Sequence, residues 1–197
     1  MQFTSRSTYF LLTTICVIST VYGLSEVNEK CIAANNGSIS NDFLIGTWHK
    51  VYLYKLDGPV PTCTCPNVTF YKPTHAEIEE YRQKYKETEL PQTIGDDAIV
   101  ADRGYIKGLI LGQGEAKTYI LDPKSAMILN MEGYEVYVYR RLSDKFVFFW
   151  RCALRGHSKW LMTNDRHATE EEIQQIIKDR PEVFNKYGQR YCKHICY

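Results

Sequence analysis

The positions of six cysteines constrain this chain more than any other feature of its sequence. They are spread over the beginning, the middle and the end of the chain: Cys31, Cys63, Cys65, Cys152, Cys192 and Cys196. An even number of cysteines with this distribution is typical of disulfide bridges that tie both termini of a domain to its centre. That interpretation requires an oxidising compartment.

The N-terminal segment provides evidence for such a compartment. Arg6 is the only charged residue among the first 25, and an apolar run follows it over residues 9–18. This run is too short to cross a bilayer, so the pattern predicts a secretory signal over residues 1–23 and not a membrane span. We therefore expect a secreted, extracellular protein that is not an integral membrane protein.

Cleavage of this signal after Gly23 leaves residues 24–197, and Val21 and Gly23 are residues of the kind that precede such a cut. Cys16 leaves with the signal. The remaining length suits one domain with a substantial core.

The charge balance excludes one class of partner. The full chain has 24 basic and 23 acidic residues, and Arg6 is lost with the signal. A chain with equal numbers of both gives no support to nucleic-acid binding or to electrostatic membrane association. The oligomeric state stays open.

Two acceptor sequons agree with secretion. They are Asn36-Gly37-Ser38 and Asn67-Val68-Thr69, so we expect glycosylation at Asn36 and Asn67.

A metal site is the alternative interpretation of the cysteines. A zinc site can be drawn from four cysteines, with or without His194; they are Cys63, Cys65, Cys192 and Cys196. Structural zinc sites more often use Cys-x-x-Cys pairs, and secreted thiols are usually oxidised, so disulfides are favoured and no metal is predicted. On a strand, Cys63 and Cys65 point to the same face, which leaves the connectivity open.

Short strands dominate the rest of the chain. A polar lead-in precedes them at 24–45 and a loop is predicted at 88–97, while 76–87 fits either a helix or a strand. The candidate strands are 47–54, 68–71, 105–111, 117–121, 126–131, 134–139, 146–150 and 158–162.

One helix is clear from its capping pattern. Thr169 is the expected N-cap, Glu172 completes a capping box, and Ile173 and Ile176 lie on an apolar stripe that ends before Pro181. Many short strands followed by one helix indicate an antiparallel barrel or sandwich. The 15 tyrosines, 3 tryptophans and 8 phenylalanines suit an aromatic core or barrel lining.

Two motifs resemble those of the lipocalin family. Gly46-Thr47-Trp48 resembles the Gly-x-Trp motif that opens the first strand, where the Trp closes the base of the barrel. Residues 142–145, followed by the strand that reaches Cys152, resemble the second motif, with Ser143-Asp144 in place of Thr-Asp. The resemblance runs through most of residues 24–197.

The resemblance implies an all-β fold, an eight-stranded antiparallel up-and-down β-barrel with a C-terminal α-helix. Its expected bounds are about 46–163 for the barrel, about 169–180 for the helix and 181–197 for a disulfide-tethered tail.

The similarity is closest to the apolipoprotein D and insect bilin-binding group. It implies a Cys31–Cys152 bridge and pairs Cys63 and Cys65 with Cys192 and Cys196, in an order it leaves open. The chain departs from the family in having this doubled cysteine set.

A second departure concerns an arginine. The family places one after the last strand, over the Trp of the first motif. Here residues 163–164 are Thr and Asn, and Arg166 comes slightly later, so that either Arg166 replaces the usual arginine or the motif is lost.

The alternation of side chains along the strands indicates which residues face a ligand site inside the barrel. If Cys152 points outward, Val147, Phe149 and Arg151 point inward, where Arg151 pairs with a ligand oxygen or, alternatively, stacks on a tyrosine or faces solvent. On the first strand, side-chain alternation from Trp48 predicts that Tyr52 and Tyr54 also point inward, unless a β-bulge reverses the alternation.

The expected function is that of a secreted carrier of a small hydrophobic molecule such as a pigment, retinoid, fatty acid or sterol, with no cofactor of its own. The alternatives are a salivary or haemolymph factor with a filled barrel that acts on another protein, or an enzyme. The histidines are scattered, with no metal pair or nucleophile motif, so we predict no catalytic residues. A haem carrier needs an inward His, for which His49 or His157 is nominated by position alone.

Overall fold

The computed structural model describes most of the predicted domain. The described residues are 26–35, 39–54, 65–87, 90–112, 115–120, 134–152, 158–184, 188–190 and 192.

In the described part of the chain, nine antiparallel strands form one sheet. They are β1 (Gly46–Tyr54), β2 (Asn67–Tyr71), β3 (Ile99–Asp102), β4 (Lys107–Leu111), β5 (Glu115–Ile120), β6 (Tyr134–Arg141), β7 (Phe146–Cys152), β8 (Ser158–Thr163) and β9 (Gln189–Arg190). Each strand from β2 to β8 pairs with the next along the chain, and β1 pairs with both β8 and β2. The first eight strands therefore close into an up-and-down barrel, which confirms the predicted fold class.

Strand β1 closes the barrel because it is long enough to pair with several partners. Its first half pairs with β2, where Thr47 lies opposite Thr69. Its second half pairs on the same edge with β9, where Tyr52 lies opposite Arg190. The register with β8 shifts between Lys50 and Tyr52, which is the signature of a β-bulge.

Five described helices flank the barrel. They are α1 (Glu26–Asn35), α2 (Asn41–Leu44), α3 (His75–Lys84), α4 (Leu90–Thr93) and α5 (Glu170–Asp179). The predicted capping box of α5 is present: Thr169 accepts from the Glu172 backbone N–H and the Glu172 side chain accepts from the Thr169 N–H. The stripe of α5 packs on the outside of the barrel, with Ile173 fully buried.

The ambiguous segment 76–87 is mostly helical. Thr74 and Glu77 form a second capping box at the start of α3, which explains why a helix forms despite strand-like spacing. Tyr81 is 1% exposed and packs with Val100 and Leu109 on the outer face of β3 and β4.

Sequence patterns missed β3, β9, and the helices α1, α2 and α4, of which α1 and α2 lie in the predicted lead-in and α4 lies in the predicted loop 88–97. The strand Ile99–Asp102 has no alternation of apolar and polar residues because both of its faces are covered: Ile99 points into the barrel, and Val100 packs under α3. The lead-in contains helix α1, whose polar sequence has no apolar stripe and which is tied to the barrel through Cys31. The candidate strand at 126–131 lies outside the described residues.

The described residues contain two disulfides. Cys31 bonds to Cys152 with a Cα–Cα distance of 5.9 Å, and Cys65 bonds to Cys192 with a Cα–Cα distance of 4.8 Å. These confirm the first implied bridge and assign Cys192 to Cys65. Cys63 and Cys196 lie outside the described residues, as does the sequon at Asn36; Asn67 is exposed at the start of β2.

Candidate functional site

A contact between distant strands identifies the barrel interior. Phe70 of β2 and Tyr139 of β6 are not on neighbouring strands, yet their ring centroids are 6.1 Å apart. They can meet only across the inside of the closed sheet. The same contact network, here called the interior cluster, contains Ile39, Leu44, Trp48, Val68, Phe70, Ile99, Ala101, Ile110, Tyr137, Tyr139, Val147, Phe149 and Met162, with Phe43 and Trp160 packed against it.

One end of the interior, here called the base, is closed by α2. Trp48 is fully buried and its Nε1 donates to the carbonyl oxygen of Leu44 at 2.8 Å. The Phe43 ring centroid lies 5.6 Å from that of Trp48, and the Arg141 guanidinium carbon lies 4.2 Å from the Phe43 centroid. The base is a filled apolar layer with a cation over its outer ring.

The opposite end, where β1, β3, β5 and β7 finish, is here called the rim. Phe149 of β7 and Trp160 of β8 are register partners, and their rings stack with centroids 4.7 Å apart and planes 11° apart. Tyr137 meets Phe149 edge to face at 5.3 Å. Phe149 is buried, whereas Trp160 keeps part of its surface exposed. This surface inside a closed barrel is suited to contact an apolar molecule.

Lys50 lies beside this aromatic surface. It follows Trp48 by two residues on β1 and faces Met162 of β8, so its side chain points to the interior. Its Nζ lies 5.2 Å from the Trp160 centroid and 5.7 Å from the Phe149 centroid. Burial, together with the charges of Arg103 and Arg151, lowers the pKa of Lys50 to about 7.

Two arginines complete a cationic group with Lys50. Arg151 shares the strand phase of Phe149 and lies opposite Tyr137 in the register of β6 and β7. The Arg103 guanidinium carbon lies 5.0 Å from the Tyr137 centroid. Arg103 is held at the rim by a hairpin turn in which its N–H donates to the Ile106 carbonyl at 3.0 Å and Gly104 has a φ of +82°. We call Lys50, Arg103 and Arg151 the cation group.

Four of the residues predicted for the site point inward. Trp48 and Val147 lie in the base layer, Phe149 lies in the aromatic surface, and Arg151 belongs to the cation group. The outward bond of Cys152 to Cys31 accounts for the phase of β7. A ligand role for these residues stays a prediction.

The inward orientation considered for Tyr52 and Tyr54 is wrong, because the bulge after Lys50 reverses the phase of β1. The Tyr52 hydroxyl donates to Glu170 at 3.2 Å on α5, outside the barrel. Tyr54 packs against Phe148 and Phe184 on the same outer side, with centroid distances of 5.8 and 5.3 Å.

Other nominated residues also lie away from the interior. Arg166 is exposed and its Nε donates to His167 Nε2 at 3.2 Å, and the guanidinium of Arg141 lies over the Phe43 ring at the base. His49 alternates with Trp48 and Lys50 and therefore faces outward, and burial lowers its pKa. His157 lies outside the described residues.

Sequence reasoning missed Lys50 and Arg103. The signal for Lys50 was available, because strand alternation from Trp48 turns residue 50 inward before any bulge. The orientation of Arg103 could not be inferred from the sequence, because the strand that precedes it was not predicted.

Among the described residues, no group of three or more His, Cys, Asp or Glu side chains is arranged to hold a metal ion. Within the same residues, no helix has the length and apolarity needed to span a membrane.

Comparisons with known proteins give structural likenesses and no match in sequence. No family model matches the chain. No curated protein matches it in sequence. A solved structure of lobster apocrustacyanin A1 is similar over 79% of this chain and 79% of that chain, with 6% identity and a TM-score of 0.40. We take nothing about ligand or function from a likeness at this level.

Proposed function

We propose that the protein is a secreted, lipocalin-like binding protein that carries or sequesters a small hydrophobic molecule in the rim half of its barrel. The observation that carries this proposal is the partly exposed Trp160, stacked on a buried Phe149 inside a closed barrel. Apolar surface of this kind gains free energy when a ligand covers it, at roughly 25 cal/mol per Å².

The disulfides support the extracellular part of the proposal. Bridges that persist are typical of oxidising compartments, and Cys31–Cys152 and Cys65–Cys192 tie the lead-in and the tail to the barrel. This pairing also agrees with the one implied by the apolipoprotein D and insect bilin-binding group, and we propose that group as the nearest relatives. The candidate cargo is a pigment, retinoid, fatty acid or sterol.

The first test is to examine the protein purified from its native source. An absorbance scan separates pigment, haem and colourless cargo, and solvent extraction with mass spectrometry identifies what is bound. We expect one apolar molecule at close to stoichiometric amount. A preparation that contains none and that takes up none from a panel of retinoids, fatty acids, sterols and tetrapyrroles contradicts a carrier function.

A contact quencher then locates the site. Bromododecanol quenches tryptophan fluorescence only at short range, so we expect it to quench Trp160. The quenching should be largely lost in Trp160→Phe and retained in Trp150→Phe, because Trp150 packs outside the barrel with Cys152 and Phe148. Equal loss in the two variants places the ligand elsewhere.

A further inference from the structure

Lys50 places a primary amine inside the barrel, next to the aromatic surface of the rim. Its Nζ lies 5.2 Å from the Trp160 ring centroid and 5.7 Å from the Phe149 centroid. Among the described residues, no carboxylate pairs with this Nζ, whereas Lys107 and Lys145 elsewhere on the protein each form ion pairs with two carboxylates. The Lys50 side chain keeps part of its surface exposed, so a small molecule inside the barrel can reach it.

Two physical effects make this amine nucleophilic. Removal from water favours the neutral form of a lysine, and neighbouring cations favour that form further. Both effects act on Lys50, because burial and the charges of Arg103 and Arg151 lower its pKa to about 7. Near neutral pH, roughly half of the Lys50 side chains are therefore neutral, against roughly one in a few thousand for an ordinary lysine. The neutral amine has a free lone pair with which it can attack a carbonyl carbon.

We propose that Lys50 captures an apolar aldehyde as an imine, while the chain of the aldehyde covers the exposed surface of Trp160. This inference rests on the proposed binding function and deepens it, because it specifies both the class of ligand, a long-chain aldehyde, and a covalent but reversible mode of binding.

The capture step needs only the amine and the aldehyde. Nζ attacks the carbonyl carbon and forms a C–N bond, and one N–H proton passes to the carbonyl oxygen to give a carbinolamine. The hydroxyl group and the second N–H proton then leave as one molecule of water, and a C=N double bond forms. Nothing is oxidised or reduced, and hydrolysis reverses the reaction. Apolar rings around the product hold water away from it, which disfavours that hydrolysis.

The position of the amine favours an aldehyde with a long apolar chain. Nζ lies over the Phe149 and Trp160 rings, so a chain attached to it begins on the aromatic surface. Burial of the chain against these rings stabilises the complex and holds the carbonyl group beside the amine, which raises the effective concentration of the two reactants. A short aldehyde gains little of either effect.

The test is to incubate the purified protein with dodecanal near pH 7 in the presence of sodium cyanoborohydride, which reduces an imine to a stable secondary amine. Intact-mass spectrometry counts the dodecyl groups, and peptide mapping locates them. We expect one group per protein on Lys50, with every other lysine modified at least about tenfold more slowly. Propanal at the same concentration should modify Lys50 at least about tenfold more slowly than dodecanal. An excess of dodecanol should protect Lys50, because it competes for the same apolar surface.

Matched variants assign the reaction to Lys50. Lys50→Met keeps the length of the side chain without an amine, so the dominant dodecyl adduct should disappear. Lys159→Met is the control, since Lys159 lies over Trp150 on the outer face, and this variant should retain the adduct at the wild-type rate. Circular dichroism shows whether each variant is folded.

The outcomes separate this proposal from the carrier function. If bromododecanol quenches Trp160 but dodecanal modifies Lys50 no faster than the other lysines, the carrier function stands and the capture of aldehydes is overturned. Equal rates with propanal and dodecanal also overturn it, since the apolar surface then takes no part. If bromododecanol does not quench Trp160, the carrier function itself is contradicted. Should Lys50→Met fail to fold, peptide mapping of the wild-type protein and its protection by dodecanol still decide the question.

Discussion

The two ends of the barrel interior are built from the same kinds of residue and yet differ in what they can do. At the base, Trp48 and Val147 are fully buried, and the tryptophan N–H is satisfied by Leu44. At the rim, Trp160 keeps exposed surface, and Lys50 gives up much of its hydration without gaining a described carboxylate partner. The base is packed like a complete hydrophobic core, whereas the rim leaves part of its aromatic surface exposed.

This difference indicates where stability and function are located. Aromatic residues at the base stabilise the closed barrel because their contacts are complete. Aromatic residues at the rim should add less to the stability of the free protein because part of their surface stays exposed. Substitutions at the two ends should therefore affect different measurements.

The largest effect is expected at the base. Trp48→Ala removes a fully buried indole and its hydrogen bond to Leu44, and should lower the free energy of unfolding by about 3–5 kcal/mol. Trp160→Ala, the matched rim variant, should cost only about 1–2 kcal/mol because part of its surface is already exposed. Denaturant unfolding measures both. Equal losses would show that the rim is packed as completely as the base.

At Lys50 we expect a substitution to raise the free energy of unfolding, by an amount between those expected at the base and at Arg141. Its pKa of about 7 in the folded protein is below its ordinary value of 10.5, so the unfolded chain binds more protons between these values and stability rises with pH across that window. Lys50→Met should therefore stabilise the free protein most below about pH 7, by at least about 1 kcal/mol or 2–4 °C in Tm. This advantage should fade as the pH rises toward 10.5.

Thermal unfolding without ligand, followed as a function of pH, measures this effect. Lys159→Met again provides the control, with no comparable gain. If Lys50→Met is destabilising at every pH, the contacts of Lys50 outweigh the cost of its burial in the free protein.

The smallest change in the free energy of unfolding is expected at Arg141, the cation that lies over the Phe43 ring. Arg141 lies 4.2 Å from the Phe43 centroid and is exposed, so Arg141→Gln should cost about 0.5–1 kcal/mol. Lys86→Gln, at an exposed position after α3, should be close to neutral. Ligand binding should not change in either variant. A change in bromododecanol binding in Arg141→Gln would mean that the base takes part in recognition.

Whether the sequence predicts which side chains of a strand point inward depends on what determines that orientation. The phase of β7 could be predicted because Cys152 must reach Cys31 on the outside, and alternation then turns Phe149 and Arg151 inward. The side-chain orientation of β1 beyond Lys50 could not be predicted, because the bulge depends on pairing with β8 and leaves no local pattern in the sequence. Tyr52 and Tyr54 were misplaced for that reason.

The helices show the same contrast between local and non-local causes. The α5 capping box is a local signal, and it is present as predicted. Strand β3 was missed because helix α3 covers its outer face, which makes its sequence uniformly apolar where an alternating pattern was sought. With β3 unknown, Arg103 could not be assigned to the rim.

The account depends most directly on the charge state of Lys50 inside the rim. NMR titration of the protein with isotope-labelled lysines, with Lys50 assigned by its absence from Lys50→Met, measures this state. We predict a pKa of about 7 in the free protein, well below the ordinary value of 10.5, because the side chain is buried beside two arginines. An ordinary lysine titration in the free protein would contradict the account.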